Sequence, residues 1–214
     1  MPVPYSEGRL QPQCRRANQY IIALVDRDSL LAAVGDSVRL KQSFFDQEAD
    51  TILKAGALLA EALRAGRKVL VFGNGGSAAD AQHFSAELVG RFLDDRPALA
   101  AIALTTDSSI LTCVANDFHY DDIFARQIAA LGAEGDVAVA ISTSGSSPNV
   151  LKAVSTARTK RLRTIGLAGR DGGELAASVE LCLTVPHQDT ARIQEVHGML
   201  MHFFCQMIED ELFP

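Results

Sequence analysis

The segment KVLVFGNGGSAAD, residues 68–80, decides the fold. Its first half is a short apolar run, the length of a strand buried on both faces, and its second half is a glycine-rich turn opening into a helical pattern. Four further runs have the same texture: LAAIAL (99–104), DVAVAI (136–141), RTIGLAG (163–169) and VELCLTV (179–185). Amphipathic segments fill most of the gaps between them. Strands alternating with helices call for parallel pairing through right-handed crossovers. The expected fold class is therefore α/β, a doubly wound sandwich with a five-stranded parallel sheet flanked by helices.

Upstream of this segment the period changes. From Ser29 to Gly66 apolar residues recur at three and four (Leu40, Phe44, Phe45, Ile52, Leu59, Leu63) without strand-like alternation. Gly35-Asp36-Ser37 predicts a break into two helices, with Asp36 or Ser37 as N-cap and Gly66 as C-cap. The chain thus divides into an N-terminal helical section, 1–66, and the sheet domain, 67–214. Two long helices need a partner surface, either the rest of the domain or a second subunit. The last segment, from about Thr190 to Glu211, is helical again.

The 214 residues carry 20 Lys+Arg against 26 Asp+Glu, a net charge of −6, with 48% hydrophobic residues. That length can bury a sizeable core without disulfides. An acidic chain with no basic block is a poor match for a nucleic-acid backbone or an anionic membrane surface. No apolar run approaches the ~18 residues of a membrane span, and MPVPYSEGRLQPQCRR has no apolar leader region, so a cytoplasmic address is expected. Cys14, Cys113, Cys182 and Cys205 stand singly, without a C-x-x-C pair, and are taken as reduced.

In a doubly wound sheet, ligands sit where the strands' carboxyl ends run into loops. GNGGSAAD (73–80) lets backbone N–H groups approach an anion at a helix N-terminus. It also fits a dinucleotide fingerprint, but the acid expected about 20 residues on is missing; the next candidate, Asp107, lies more than 30 residues past Gly73. The loop STSGSSPN (142–149) offers several hydroxyls, and Ser147-Pro148 supplies an N-cap and an N1 proline. With no Lys or Arg in either loop, a phosphate here is held by hydroxyls, N–H groups and helix dipoles, which suits a phosphomonoester better than a polyphosphate. His83 and Glu87, four apart, share one face of the helix that follows the glycine loop.

In these motifs the chain resembles the sugar isomerase (SIS) fold over nearly its whole length. GNGGSAADAQHFSAELVGRF (73–92), ALTTDSSIL (103–111), ANDF (115–118), ISTSGSSPNVLKA (141–153) and RIQEVHGMLMH (192–202) are similar, in order and spacing, to the phosphoheptose isomerases. The resemblance implies an aldose–ketose isomerase that converts sedoheptulose 7-phosphate to D-glycero-D-manno-heptose 7-phosphate through an enediol. It implies one Zn2+ per subunit held by His83, Glu87, Gln194 and His202, with Glu87 as the base and His202 as its acid/base partner. Asn74, Gly75, Gly76, Ser77, Glu87, Asn116, Asp117, Ser142, Thr143, Ser144, Ser147 and Gln194 match the substrate contacts. A homotetramer with active sites at subunit interfaces is implied as well.

On one helix, Gln194 and His202 stand ~12 Å apart along the axis and are rotated by about 80°. Asp80, three before His83, is either a carboxylate orienting that imidazole or an ordinary first-turn acid. His119 departs from the glycine usual in relatives, and His197 lies on another face than His202. The competing reading is a non-catalytic regulator that resembles the DnaA initiator-associating protein. As that branch lacks counterparts of Glu87 and His202, their presence here favours the enzyme.

Overall fold

A computed structural model describes residues 25–214; the N-terminal leader reading, residues 1–17 and Cys14 lie outside the described residues. The elements in order are α1 (Arg27–Arg64), β1 (Val69–Gly73), α2 (Gly76–Val89), β2 (Ala101–Ala103), α3 (Ser108–Asp117), a single 3-10 turn (Tyr120–Asp122), α4 (Ile123–Leu131), β3 (Val137–Ser142), α5 (Pro148–Thr159), β4 (Arg163–Gly169), α6 (Gly173–Ser178), β5 (Leu181–Val185) and α7 (Thr190–Leu212). The five strands form one sheet in the order β2-β1-β3-β4-β5. Every neighbouring pair is parallel, as the five apolar runs predict.

Strand residues alternate between two cores because successive side chains point to opposite faces. Val69, Val71, Val137, Val139 and Ile141 pack with side chains of α1, α2 and α7. Leu70, Phe72, Ala138 and Ala140 face the other way, onto α4, α5 and α6. Both faces are therefore covered, which is why the strands read as continuous apolar runs rather than alternating ones. The run at 99–104 yields only the three-residue edge strand β2; a short edge exposes few unpaired backbone groups.

The expected break at Gly35-Asp36-Ser37 does not occur: α1 is assigned as one helix of 38 residues. A single glycine costs a helix only about 1 kcal/mol, and the side chains that would have capped a new start have other partners. Asp36 pairs with Arg39, while Ser37 donates to Glu195 of α7 and accepts from Lys41 Nζ at 2.8 Å. The stop at Gly66 is as expected, with a left-handed φ of 71°. Residues from Asp36 to Pro214 form one compact unit, and the described residues before Asp36 belong to a separate one.

His197 ties α7 to the sheet. It is fully buried, and its Nε2 lies 3.0 Å from the carbonyl oxygen of Ala168 in β4. Burial pulls its pKa down from 6.5 to about 4, against the smaller opposing effect of that hydrogen bond. The native state thus holds a neutral ring where the unfolded chain binds a proton. Stability should fall as pH drops from about 6.5 to 4, by roughly 3 kcal/mol for this group. Urea unfolding at stepped pH should show a flatter slope for His197→Gln, which keeps an N–H donor but does not titrate; an unchanged slope would rule His197 out as its source.

Candidate active site

The strand order places a topological switch between β1 and β3. The helix leaving β1, α2, packs on one face of the sheet through Ala81, Phe84 and Leu88. The helix leaving β3, α5, packs on the other through Val150, Ala153 and Val154. Diverging connections open a crevice beyond the strands' carboxyl ends, where doubly wound proteins bind ligands.

Both helix N-termini at this crevice lack a side-chain cap: α2 begins after Gly75 and α5 after Ser147. By contrast, Asp107 caps α3 and Asp189 caps α7 through hydrogen bonds to Ile110 N and Ala191 N. Ser77 N and Ala78 N bond the Asn74 and Gly75 carbonyls and Val150 N bonds Asn149 Oδ1, so what the two N-termini offer an anion is chiefly the helix dipole. Gly75 holds φ +58°, a backbone that disfavours any side chain. At Gly76 a Cβ would collide with the Gln194 amide. Gln194 therefore sits against the start of α2.

Ser142 Oγ lies 2.9 Å from Ser147 Oγ and 3.4 Å from Ser144 Oγ, so the expected N-cap hydroxyl of Ser147 is committed to a cluster of hydroxyls instead. Thr143 is half-buried beside Gly169, and Ser77 is buried against Gly73. The two loops are joined by a reciprocal amide pair: Asn74 Nδ2 donates to Asn149 Oδ1 at 2.9 Å, and Asn149 Nδ2 to Asn74 Oδ1 at 2.8 Å. Tyr120 Oη adds a hydrogen bond to Asn74 Oδ1 at 3.2 Å. The sequence motifs assign no role to Asn149 or Tyr120. Asn149 stands inside a quoted motif, but only the fold reveals its partner 75 residues away.

The serine loop is also locked from behind. Leu175 N donates to Gly145 O at 2.9 Å, and a Cβ on either Gly145 or Gly173 would strike the other's loop backbone.

The acid–base candidates gather further along α2. His83 Nε2 lies 3.1 Å from Glu87 Oε1, with side-chain exposures of 52% and 24%. Across the α2–α7 contact the His202 ring lies 5.0 Å from the His83 ring, edge-on. Its other neighbour is Phe92, stacked at 5.7 Å and 24°. The pairings of Gly76 with Gln194 and of His83 with His202 show the two helices running side by side in the same sense.

His83 thus contacts both Glu87 and His202, whereas Gln194 lies about two turns of α7 before His202. Among the described residues no group of three or more His, Cys, Asp or Glu side chains is arranged to hold a metal ion. In donor chemistry, two imidazoles and a carboxylate still suit zinc. Asn116 and Asp117, at the end of α3, are exposed and bonded to each other at 2.8 Å. Hydrogen bonds from Asn116 and from the Cys113 thiol hold the Asp117 carboxyl below its ordinary pKa. Burial raises the pKa of Asp80, opposed by the nearby His83.

A parallel sheet of this order with hydroxyl donors at its switch point is the frame of a doubly wound ligand-binding domain, and an SIS domain model matching residues 34–169 places it in the sugar isomerase class. The chain is 55% identical over 181 residues to the phosphoheptose isomerase of Halorhodospira halophila, covering 83% of this chain and 91% of that one. It is 52% identical to that of Geobacter sulfurreducens, covering 87% and 99%. Among solved structures, the phosphoheptose isomerase of Neisseria gonorrhoeae superposes with a TM-score of 0.81 at 45% identity, covering 86% of this chain and 98% of that one. That of Francisella tularensis gives 0.83 at 38%, covering 86% and 97%. The chain belongs to the phosphoheptose isomerase family of SIS-domain proteins.

Because the Asn74–Asn149 pair is largely shielded from water, Asn149→Ala should lower the unfolding free energy by about 1–3 kcal/mol. Guanidinium denaturation would measure it, and a loss below ~0.5 kcal/mol would mean the pair does not hold the loops together.

Proposed function

We propose that this isomerase interconverts sedoheptulose 7-phosphate and D-glycero-D-manno-heptose 7-phosphate through an enediol, in the cytoplasm, as a step toward activated heptose. The observation that carries the reading is the meeting of His83, itself hydrogen-bonded to Glu87, with His202 across the α2–α7 contact. The uncapped starts of α2 and α5, with Ser142, Thr143, Ser144 and Ser147, hold the phosphate without a formal positive charge. Asn74, Gly75, Gly76, Ser77, Asn116, Asp117 and Gln194 complete the substrate contacts.

With the sugar held, the Glu87 carboxylate takes a proton from C1 of the ketose while His202 delivers one to O2, giving the enediol. His202 then takes the proton from O1, and Glu87 returns its own to C2, so that the aldehyde forms and no proton is gained or lost. His83 fixes one Glu87 oxygen and leaves the other free to face carbon. His83, Glu87 and His202 would hold a zinc ion, with Gln194 as the fourth ligand by family resemblance; when bound, the metal polarises the substrate oxygens.

Glu87 lies 11 residues beyond Gly76, or ~16 Å along α2. That distance between the anion crevice and the acid–base cluster favours a shared site, in a homotetramer whose active centres lie at subunit interfaces. Exposed Val38, Leu53 and Phe203 supply apolar surface for such packing. In this reading the helical section 1–66 serves assembly, and 67–214 carries the chemistry.

In a coupled assay with sedoheptulose 7-phosphate, Glu87→Gln should lose turnover by ~10²–10⁴-fold while phosphate-ester binding changes little. Retained turnover would show that the base is another residue. Chelation should abolish wild-type activity and added zinc restore it; full activity in metal-free protein would remove the metal from the reaction.

A further inference from the structure

Arg96 and Glu209 form an ion pair whose side chains are each only 2% exposed, with Arg96 Nε 2.9 Å from Glu209 Oε1. The rest of the guanidinium meets backbone. Nη2 donates to Glu87 O at 2.8 Å, and Nη1 donates to Leu88 O at 2.8 Å and Pro97 O at 3.1 Å. Glu87 and Leu88 are among the last four carbonyls of α2, which have no intrahelical donor. A cation there complements the helix C-terminus.

The carboxylate is equally committed. Glu209 Oε1 also accepts from Phe92 N at 3.0 Å, while Oε2 accepts from Leu93 N at 3.0 Å and Asp94 N at 3.2 Å. These bonds fix the loop that presents the Phe92 ring, and that ring stacks on His202. One buried pair therefore reaches the backbone of the proposed base in one direction and the ring of the proposed acid/base in the other.

We propose that Arg96 and Glu209 are positioning residues for the isomerisation, setting Glu87 by its main chain and His202 through Phe92. This rests on the acid–base roles assigned above. Desolvating two charges gives a fold little net stability compared with apolar side chains of the same size. What the pair supplies is direction: a planar fork on three named carbonyls and a carboxylate on three consecutive N–H groups.

The test compares wild type, Arg96→Lys and Phe92→Leu at a temperature where far-UV circular dichroism shows all three folded. Arg96→Lys keeps the charge but cannot span the α2 carbonyls and Glu209 together. Phe92→Leu removes only the stacked ring. Both should lower kcat on sedoheptulose 7-phosphate by about 10–100-fold with KM within about threefold, the effect of a small misplacement of reacting groups. A kcat within twofold of wild type in either folded variant would overturn the proposal, since a merely structural clamp alters stability and leaves the folded enzyme's kcat alone. Should Arg96→Lys not fold, Phe92→Leu decides by the same criterion. If wild type gave no turnover, the acid–base assignment would fall and the clamp with it; an active wild type with unimpaired variants removes the clamp alone.

Discussion

Two adjacent parallel strands whose following helices must leave on opposite faces cannot cover the ends of both, and β1 and β3 are such a pair. The gap beyond them is bordered by the first turns of α2 and α5, whose dipoles point into it; there Ser77 N and Ala78 N bond the Asn74 and Gly75 carbonyls and Val150 N bonds Asn149 Oδ1. Side chains close such gaps elsewhere in the molecule: Asp107 and Asp189 cap α3 and α7. At the switch they do not, because a glycine precedes α2 and the Ser147 hydroxyl is turned toward Ser142. The Asn74–Asn149 pair then braces the two loops against each other and keeps the donors in place.

The sheet was legible in the sequence because burial on both faces leaves a plain signature, five short apolar runs separated by helices. The family motifs carried the site further than periodicity could. Neither route showed the interactions that bridge distant positions. Glu209, in FFCQMIEDEL, looks like any acid near a helix end, and its partner stands 113 residues away. The break predicted at Gly35 failed for a similar reason: the cap-forming side chains of Asp36 and Ser37 found tertiary or same-helix partners, so the local stop signal lost its effect.

Burial acts in opposite senses on the groups around α7. It lowers the pKa of His197 to about 4 and pushes the Cys205 thiol up to about 12, keeping both neutral. It would push the Glu209 carboxyl up as well, yet three backbone N–H groups and Arg96 outweigh it and hold Glu209 below its ordinary value. Depth alone does not decide charge here. The number of donors aimed at the carboxylate does, so one helix carries a charged buried residue along with two uncharged ones.

The absence of Lys and Arg from the loops at 73–80 and 142–149 bears on how this protein would sense acidity. Backbone amides and serine hydroxyls do not titrate near neutrality. A phosphate monoester gripped by them changes its own charge near pH 6, at its second ionisation. Ligand capture would then follow the proton balance of the sugar phosphate, leaving the protein's titratable groups to govern turnover. On the phosphate site proposed above, an acidic chain at −6 would separate capture of the phosphate from the ionisation of its own side chains.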